Sequence, residues 1–339
     1  MQGSARHGLR CHALAVALVA GTIVAFALAV VVGVEGWQGG ATWWDDPFTR
    51  QIVWEIRLPR TMGAWLAGAL LGLAGMVAQG LFRNPLADPY LLGSASGAAL
   101  GVVLVLSTFG MSPVLSEWAP ALGVTGAAFL GGVIAVLLTV ALAAGVQDTL
   151  RLLLAGVVVS TVLGAVVSMV TLRHPGLLAY VQTYLLGSTA LVGWVGVVLM
   201  MIVWACAIAV VVSTGLALDA LGMGEDTARS LGLPVSQVRV VLILILGLTT
   251  GTAVAQTGII AFVGLAAAHM VRSVVPVRHA ALAVLSSLAG GVLLAWTDLL
   301  ARCVAVPSEW PVGVVTAFLG GCYLLGVLHL GKSTGRGAL

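Results

Sequence analysis

Few residues in this chain have the types and spacing for catalytic chemistry. Gly326-Val-Leu-His-Leu-Gly331-Lys332-Ser333 fits the G-x4-G-K-[ST] spacing in which backbone N–H groups and a lysine cradle a nucleotide's phosphates. That chemistry needs a strand before the glycines and a long helix after them, with its N-terminus aimed at the phosphate. Here a long apolar run leads in and only Thr334–Leu339 follow, so nucleotide binding is not expected. Ser94-Ala95-Ser96-Gly97 lacks the leading glycine that a serine nucleophile of an intramembrane protease would need. No HExxH and no paired aspartates occur inside apolar runs, and Cys11, Cys206, Cys303 and Cys322 are scattered without a CxxC. Neither a metal site nor a disulfide framework is expected. The remaining candidates are His269, which lies in an apolar run, and the pair Asp298 and Arg302. A histidine inside a membrane is a functional candidate by default, but this one falls near a helix end, where a hydrogen bond to the terminus is the expected role. Asp298 and Arg302 stand i,i+4 and can pair on one helix face. The chain is therefore expected to have no catalytic residue and to hydrolyse nothing.

Composition says where such a chain resides. Of 339 residues, 60% are hydrophobic and 8% charged, and mean hydropathy is +1.12. A soluble domain carries roughly 25% charged residues, so this chain belongs in a bilayer. Apolar runs near the ~20 residues of a spanning helix predict helices; barrel strands would alternate in polarity. The isoelectric point near 8.9 reflects basic residues spread over loops, and no nucleic-acid partner is expected.

Ten runs predict ten spans: about 13–34, 61–82, 92–109, 121–144, 151–172, 192–213, 238–256, 260–275, 280–303 and 311–330. The first follows Arg6, His7 and Arg10 but is too long for the apolar core of a signal peptide, and a retained helix is expected. The tryptophan-rich segment Gly36 to Glu55 reads as an external loop on the headgroups, where tryptophan concentrates. With the N-terminus inside, internal segments hold Arg6, Arg10, Arg83, Arg151, Arg229, Arg239, Arg272, Arg278, Lys332 and Arg336. External ones hold Arg50, Arg57, Arg60, Arg173 and Arg302. The positive-inside rule then places both termini in the cytoplasm, and the basic tail reads as an anchor facing anionic lipid. Residues 1–339 form a single transmembrane domain, with 214–237 as its one large internal loop.

That loop contains Leu221-Gly222-Met-Gly224-Glu225-Asp226-Thr-Ala228-Arg229-Ser230-Leu231-Gly232-Leu-Pro234. Gly222 and Gly224 supply turns, and Glu225 and Asp226 suit the positive end of a short helix. Gly232 and Pro234 stop it. The pattern predicts a short amphipathic helix held parallel to the membrane, and on pattern alone it reads equally as a solvated connector.

Four blocks, in order, carry a resemblance. The first is Arg57-Leu-Pro-Arg60, a helix with Gly68, Gly72 and Gly75 ending in Gln79-Gly80, then Asn84-Pro85-Leu-Ala-Asp88-Pro89 and a Gly-Ser-Ala-Ser-Gly turn. Gly68 and Gly72 form a GxxxG, which lets a second backbone approach closely in lipid. The second is the loop just described. The third is Phe262-Val263-Gly264-Leu265 with His269 and Arg272, and the fourth runs through Asp298, Arg302, Glu309 and Pro311-Val-Gly313-Val-Val-Thr316. Over 57–330 the chain resembles the membrane permeases of the ABC importers for iron-siderophores, haem and cobalamin. It departs from them at Ala268 and Cys322, where proline is usual, and both changes should straighten a helix.

The resemblance implies an all-α polytopic membrane protein of type II ABC importer permease architecture in the bacterial inner membrane. It implies a homodimer, or a pair with a similar permease, two ATPase subunits that carry ATP and Mg, and a substrate-binding protein. The chain itself is expected to bind no cofactor or metal. Arg57, Arg60 and Arg302 would dock the binding protein. Leu221, Gly222, Glu225, Asp226, Ala228, Arg229, Ser230, Leu231 and Gly232 would couple to the ATPase. Asn84, Pro85, Asp88, Pro89, Gly264, His269, Arg272, Pro311 and Gly313 would be structural. The cargo would be an iron chelate, siderophore or haem, with cobalamin the alternative within the family. An ion-coupled secondary transporter is the reading outside it, disfavoured because the charges sit at span ends.

Overall fold

The computed structural model describes residues 2–33, 36–37, 46–109, 118–146, 148–304 and 308–333. Each expected apolar run contains one helix. Helix α1 is Gln2–Val31, followed by a two-residue antiparallel pair, β1 Val32–Gly33 with β2 Gly36–Trp37. Then come α2 Pro47–Ile52, α3 Leu58–Phe82, α4 Ser94–Phe109, α5 Trp118–Leu142 and α6 Thr149–Arg173. The second half holds α7 Leu178–Leu186, α8 Trp194–Ser213, α9 Gly215–Gly222, α10 Glu225–Ser230, α11 Val235–Thr257, α12 Val263–Val274, α13 His279–Cys303 and α14 Val312–Ser333. Among the described residues seven helices are long and apolar enough to cross a membrane, and α4, α12 and α14 are shorter apolar helices. The chain is a multi-pass membrane protein. The nucleotide-like motif from Gly326 to Ser333 lies within α14, with helical backbone where a phosphate loop would have its glycine turn.

The expectation of a loop from Gly36 to Glu55 is corrected from Pro47 onward. Asp46 caps a helix, accepting from the N–H groups of Phe48 (3.2 Å) and Thr49 (3.1 Å), with Pro47 preset for the first turn. That helix passes through one π turn, Val53–Arg57, into α3 and runs unbroken from Pro47 to Phe82. Pro59 explains the widened turn. It has no N–H to give four residues back, and its ring would crowd that carbonyl in a regular helix. Trp54 therefore stands on a helix, its carbonyl accepting from Trp194 Nε1 at 3.0 Å. Trp43, Trp44 and Asp45 lie outside the described residues, as does the basic tail beyond Ser333.

α3 is the buried axis. A Cβ built on Gly68 would lie 2.2 Å from the Gly290 carbonyl oxygen, one on Gly72 2.2 Å from that of Ser286, and one on Gly75 2.1 Å from that of Gly264. The GxxxG thus brings α3 backbone to backbone against α13 and continues against α12, the close approach small residues permit in lipid. α12 and α14 both run without a break through Ala268 and Cys322.

Between α11 and α12 the backbone of 258–262 leaves the helix, with Gly258 at φ 68° and Phe262 at φ 67°. Non-helical backbone at membrane depth is tolerated only when protein satisfies it. Here Ile259 N–H donates to the Tyr184 carbonyl (3.3 Å), and the Ile260 carbonyl accepts from the Tyr90 hydroxyl (3.1 Å).

Candidate functional site

Charge collects at the two ends of the helical body. At the end where α3 begins, Asp298 is fully buried and is the hub. Arg60 Nε and Nη2 both donate to its Oδ1, at 3.2 and 3.1 Å, and Arg302 Nη2 donates to its Oδ2. The Thr189 hydroxyl, from the segment between α7 and α8, also donates to Oδ1. Arg60 Nη1 reaches out to Glu309 Oε1 at 2.8 Å, and Arg302 donates further to the Thr61 hydroxyl at 3.2 Å. Arg57, one turn before Arg60, donates to the Val30 carbonyl at 2.8 Å and so ties α1 to the π turn.

The i,i+4 pairing of Asp298 with Arg302 is present. The three arginines, at 8%, 7% and 2% exposure, are largely enclosed by the protein's own groups. Sequence reasoning placed Arg60 and Asp298 in separate blocks and did not anticipate that they meet, nor that Thr61 and Thr189 join them. The one available signal was an acid inside an apolar helix, which must find partners because a buried unpaired charge is costly.

At the opposite end, α9 and α10 replace the single short helix expected. Gly222 is helical, and the turn falls instead at Met223 and Gly224, whose φ of 126° only glycine adopts freely. Glu225 opens α10 and accepts from Arg229 Nη2 (2.7 Å) and from Arg239 Nη2 on α11 (3.1 Å). α10 ends at Ser230, and Gly232 two residues on turns the chain away with φ 78° and nothing within 4 Å of where a Cβ would stand. Leu221 and Ala228 are buried, and Ser230 bonds back to the Asp226 carbonyl at 2.9 Å. Met223 (65% exposed) and Leu231 (62% exposed) point outward here, as does Leu216 on α9, among the charged side chains of α10. Beside them opens a groove of about 590 Å³ lined by Arg83, Asp148, Glu225, Arg229 and Arg239 among others. Asp219 on α9 accepts from the backbone N–H of His279 at 3.1 Å and contacts its ring Nδ1 at 2.6 Å, fixing the element to the start of α13.

The turn after α3 is built by its own polar residues. Arg83 takes the left-handed conformation at φ 49°, Asn84 accepts from Leu86 N–H (2.9 Å) and Asp88 from Tyr90 N–H (2.8 Å). Desolvation pushes the Asp88 carboxyl above its ordinary range, and the Tyr90 N–H offsets this only in part. Pro85 is half-buried in the turn. Pro89 packs on Gly264, where an added Cβ would lie 2.8 Å from its ring and 2.6 Å from the Leu71 carbonyl. Gly313, two residues after Pro311, lets α14 start 2.1 Å (Cβ position) from the Leu186 carbonyl. His269 corrects an expectation: its Nδ1 lies 2.7 Å from the Tyr323 hydroxyl of α14, an interhelical bond, because α12 continues past it to Val274, more than a full turn. Arg272 sits in that last turn of α12, favourable for the helix dipole. Among the described residues no group of three or more His, Cys, Asp or Glu side chains could hold a metal ion.

A family model described as the FecCD transport family matches residues 15–329. The vitamin B12 import system permease protein BtuC of Vibrio cholerae is 37% identical over 285 residues, 82% of this chain and 84% of that protein. The hemin transport system permease protein HmuU of Yersinia pestis is 34% identical over 293 residues, 84% of this chain and 86% of that one. Among solved structures, one described as a metal-chelate type ABC transporter in an inward-facing conformation superposes with a TM-score of 0.82. It is 26% identical and covers 93% of this chain and 97% of its own.

Proposed function

The chain belongs to the FecCD transport family of ABC importer permeases, transporter subunits and not enzymes, and from that premise we propose that it carries a metal chelate across the inner membrane into the cytoplasm. The cargo is an iron chelate, haem or siderophore. Cobalamin is the second reading, favoured by the 37% identity to a vitamin B12 permease. ATP is hydrolysed, with Mg, on a pair of separate ATPase subunits. Two permease copies, identical or similar, enclose one path, and a binding protein delivers cargo from outside.

The observation that carries this reading is the α9–α10 element. Leu216, Met223 and Leu231 expose apolar side chains beside charged groups, flanked by the Glu225–Arg229 and Glu225–Arg239 ion pairs. Lipid does not cover such a surface, and a groove on a partner protein would. The backbone ends the element at left-handed Gly232, so the apolar tip is held in a fixed direction. At the other end, Arg60 holds the partly exposed Glu309 carboxylate on Nη1, a position that would suit an acidic residue of a binding protein, whose approach the arginine would speed. The ion pairs described between α3 and α13 gather at the end where α3 begins, and each acid there is already held by arginine, which speaks against a secondary transporter that needs a titrating group midway along the path.

The test is ATP hydrolysis by the permease purified with its co-expressed ATPase in lipid nanodiscs. Hydrolysis should rise when loaded binding protein is added, and Leu231→Asp should abolish that rise. A chain that retains no ATPase through purification contradicts the reading.

A further inference from the structure

Asp298 and Glu309 share Arg60 unequally. Asp298 is fully buried and holds two nitrogens of the guanidinium together with Arg302 and Thr189. Glu309 holds only Nη1, at 2.8 Å, and its side chain is 21% exposed. It stands in the non-helical segment between α13 and α14, beside exposed Ser308 and Trp310. An incoming carboxylate cannot displace Asp298 without stripping a buried charge of its partners, which is strongly unfavourable. It can displace Glu309, whose carboxylate returns to water at little cost. Arg60 Nη1 is thus a carboxylate site already filled by a carboxylate of the chain itself.

We propose that Glu309 is an internal stand-in for the binding protein's carboxylate: it occupies Arg60 Nη1 in the undocked permease and yields it on docking. This rests on the reading of the arginine end as the binding-protein surface. Glu309 keeps the outermost guanidinium nitrogen satisfied between encounters and lowers the affinity for a partner that must also leave. An acidic residue at this position acts as a negative term in the docking equilibrium, although it lies on the surface that recognises acids.

The experiment measures the affinity of the purified, substrate-loaded binding protein for the full permease–ATPase complex in nanodiscs, for the native chain and for Glu309→Gln. Arg60 keeps Asp298 in the variant, so thermal unfolding should be unchanged, and Glu309→Ala is the second variant. Both should tighten binding by about fivefold, the upper range for a partly exposed ion pair. Phenylglyoxal modification of Arg60, followed by mass spectrometry, should also speed up in both variants without any binding protein present. Unchanged or weaker binding in both variants, with native binding still weakened by salt, overturns the stand-in and leaves the docking surface in place. Native binding that is indifferent to salt overturns the docking surface itself, and the stand-in with it.

Discussion

Arg60 and Asp298 are 238 residues apart in sequence and meet at 3.1 Å where α3 begins and α13 ends. Through Asp298 the contact gathers Arg302 and Thr189, and through Arg60 it gathers Glu309. Four separate stretches of chain are joined by one buried carboxylate. The geometry that could present arginines to a partner also holds the helices together at that end.

Removing the carboxylate should therefore cost stability first. Asp298→Asn leaves Arg60 and Arg302 with an uncompensated buried charge, a loss of about 3–5 kcal/mol by analogy with other broken buried pairs. Thermal unfolding of the purified permease in detergent should show a clear drop, with poor recovery from the membrane. Unfolding at the native temperature would mean that the hub contributes nothing to folding. For the same reason Arg60→Glu and Arg302→Glu should lose folded protein, so charge reversal at those two positions cannot by itself distinguish docking from packing.

Gly232 should behave in the opposite way. A Cβ there meets no atom, but the left-handed backbone costs a β-branched residue about 1–2 kcal/mol. Gly232→Val together with Arg229→Glu should leave insertion intact and lower thermal stability less than Asp298→Asn does, while uncoupling ATP hydrolysis from transport. The readout is the ratio of chelate imported to ATP hydrolysed in vesicles. Full transport by the double variant would make 214–237 a passive connector.

Much of this was legible in the chain because it rests on local rules. Ten apolar runs of spanning length predicted where helices form, and Gly68 and Gly72 marked the face of α3 that meets α13. Glu225, Gly232 and Pro234 marked the limits of α10. Two kinds of feature were hidden. Asp46-Pro47 is a helix start that the surrounding tryptophans disguised as an interfacial loop. The Arg60–Asp298 contact and the His269–Tyr323 bond depend on which helices become neighbours, and no spacing within one helix encodes that.

Orientation can be read at two exposed positions on opposite ends. Phe48 is 69% exposed on α2, at the start of the continuous helix that carries Arg57 and Arg60, and the Asp226 side chain is fully exposed on α10. In a variant lacking the native cysteines, Phe48→Cys should react with a membrane-impermeant maleimide in intact spheroplasts. Asp226→Cys should react only after permeabilisation. The reverse pattern would turn the molecule over and place the α9–α10 element outside, away from any ATPase.

The central claim is that this permease imports a metal chelate at the expense of ATP hydrolysed elsewhere. The most direct measurement is uptake of radiolabelled haemin, a ferric siderophore and cyanocobalamin into proteoliposomes holding the permease and its ATPase, with binding protein outside. Uptake of one of these chelates should require ATP and Mg inside and binding protein outside, and should persist when proton and sodium gradients are collapsed. Uptake that proceeds without ATP on an imposed ion gradient, or that needs no binding protein, would contradict the account.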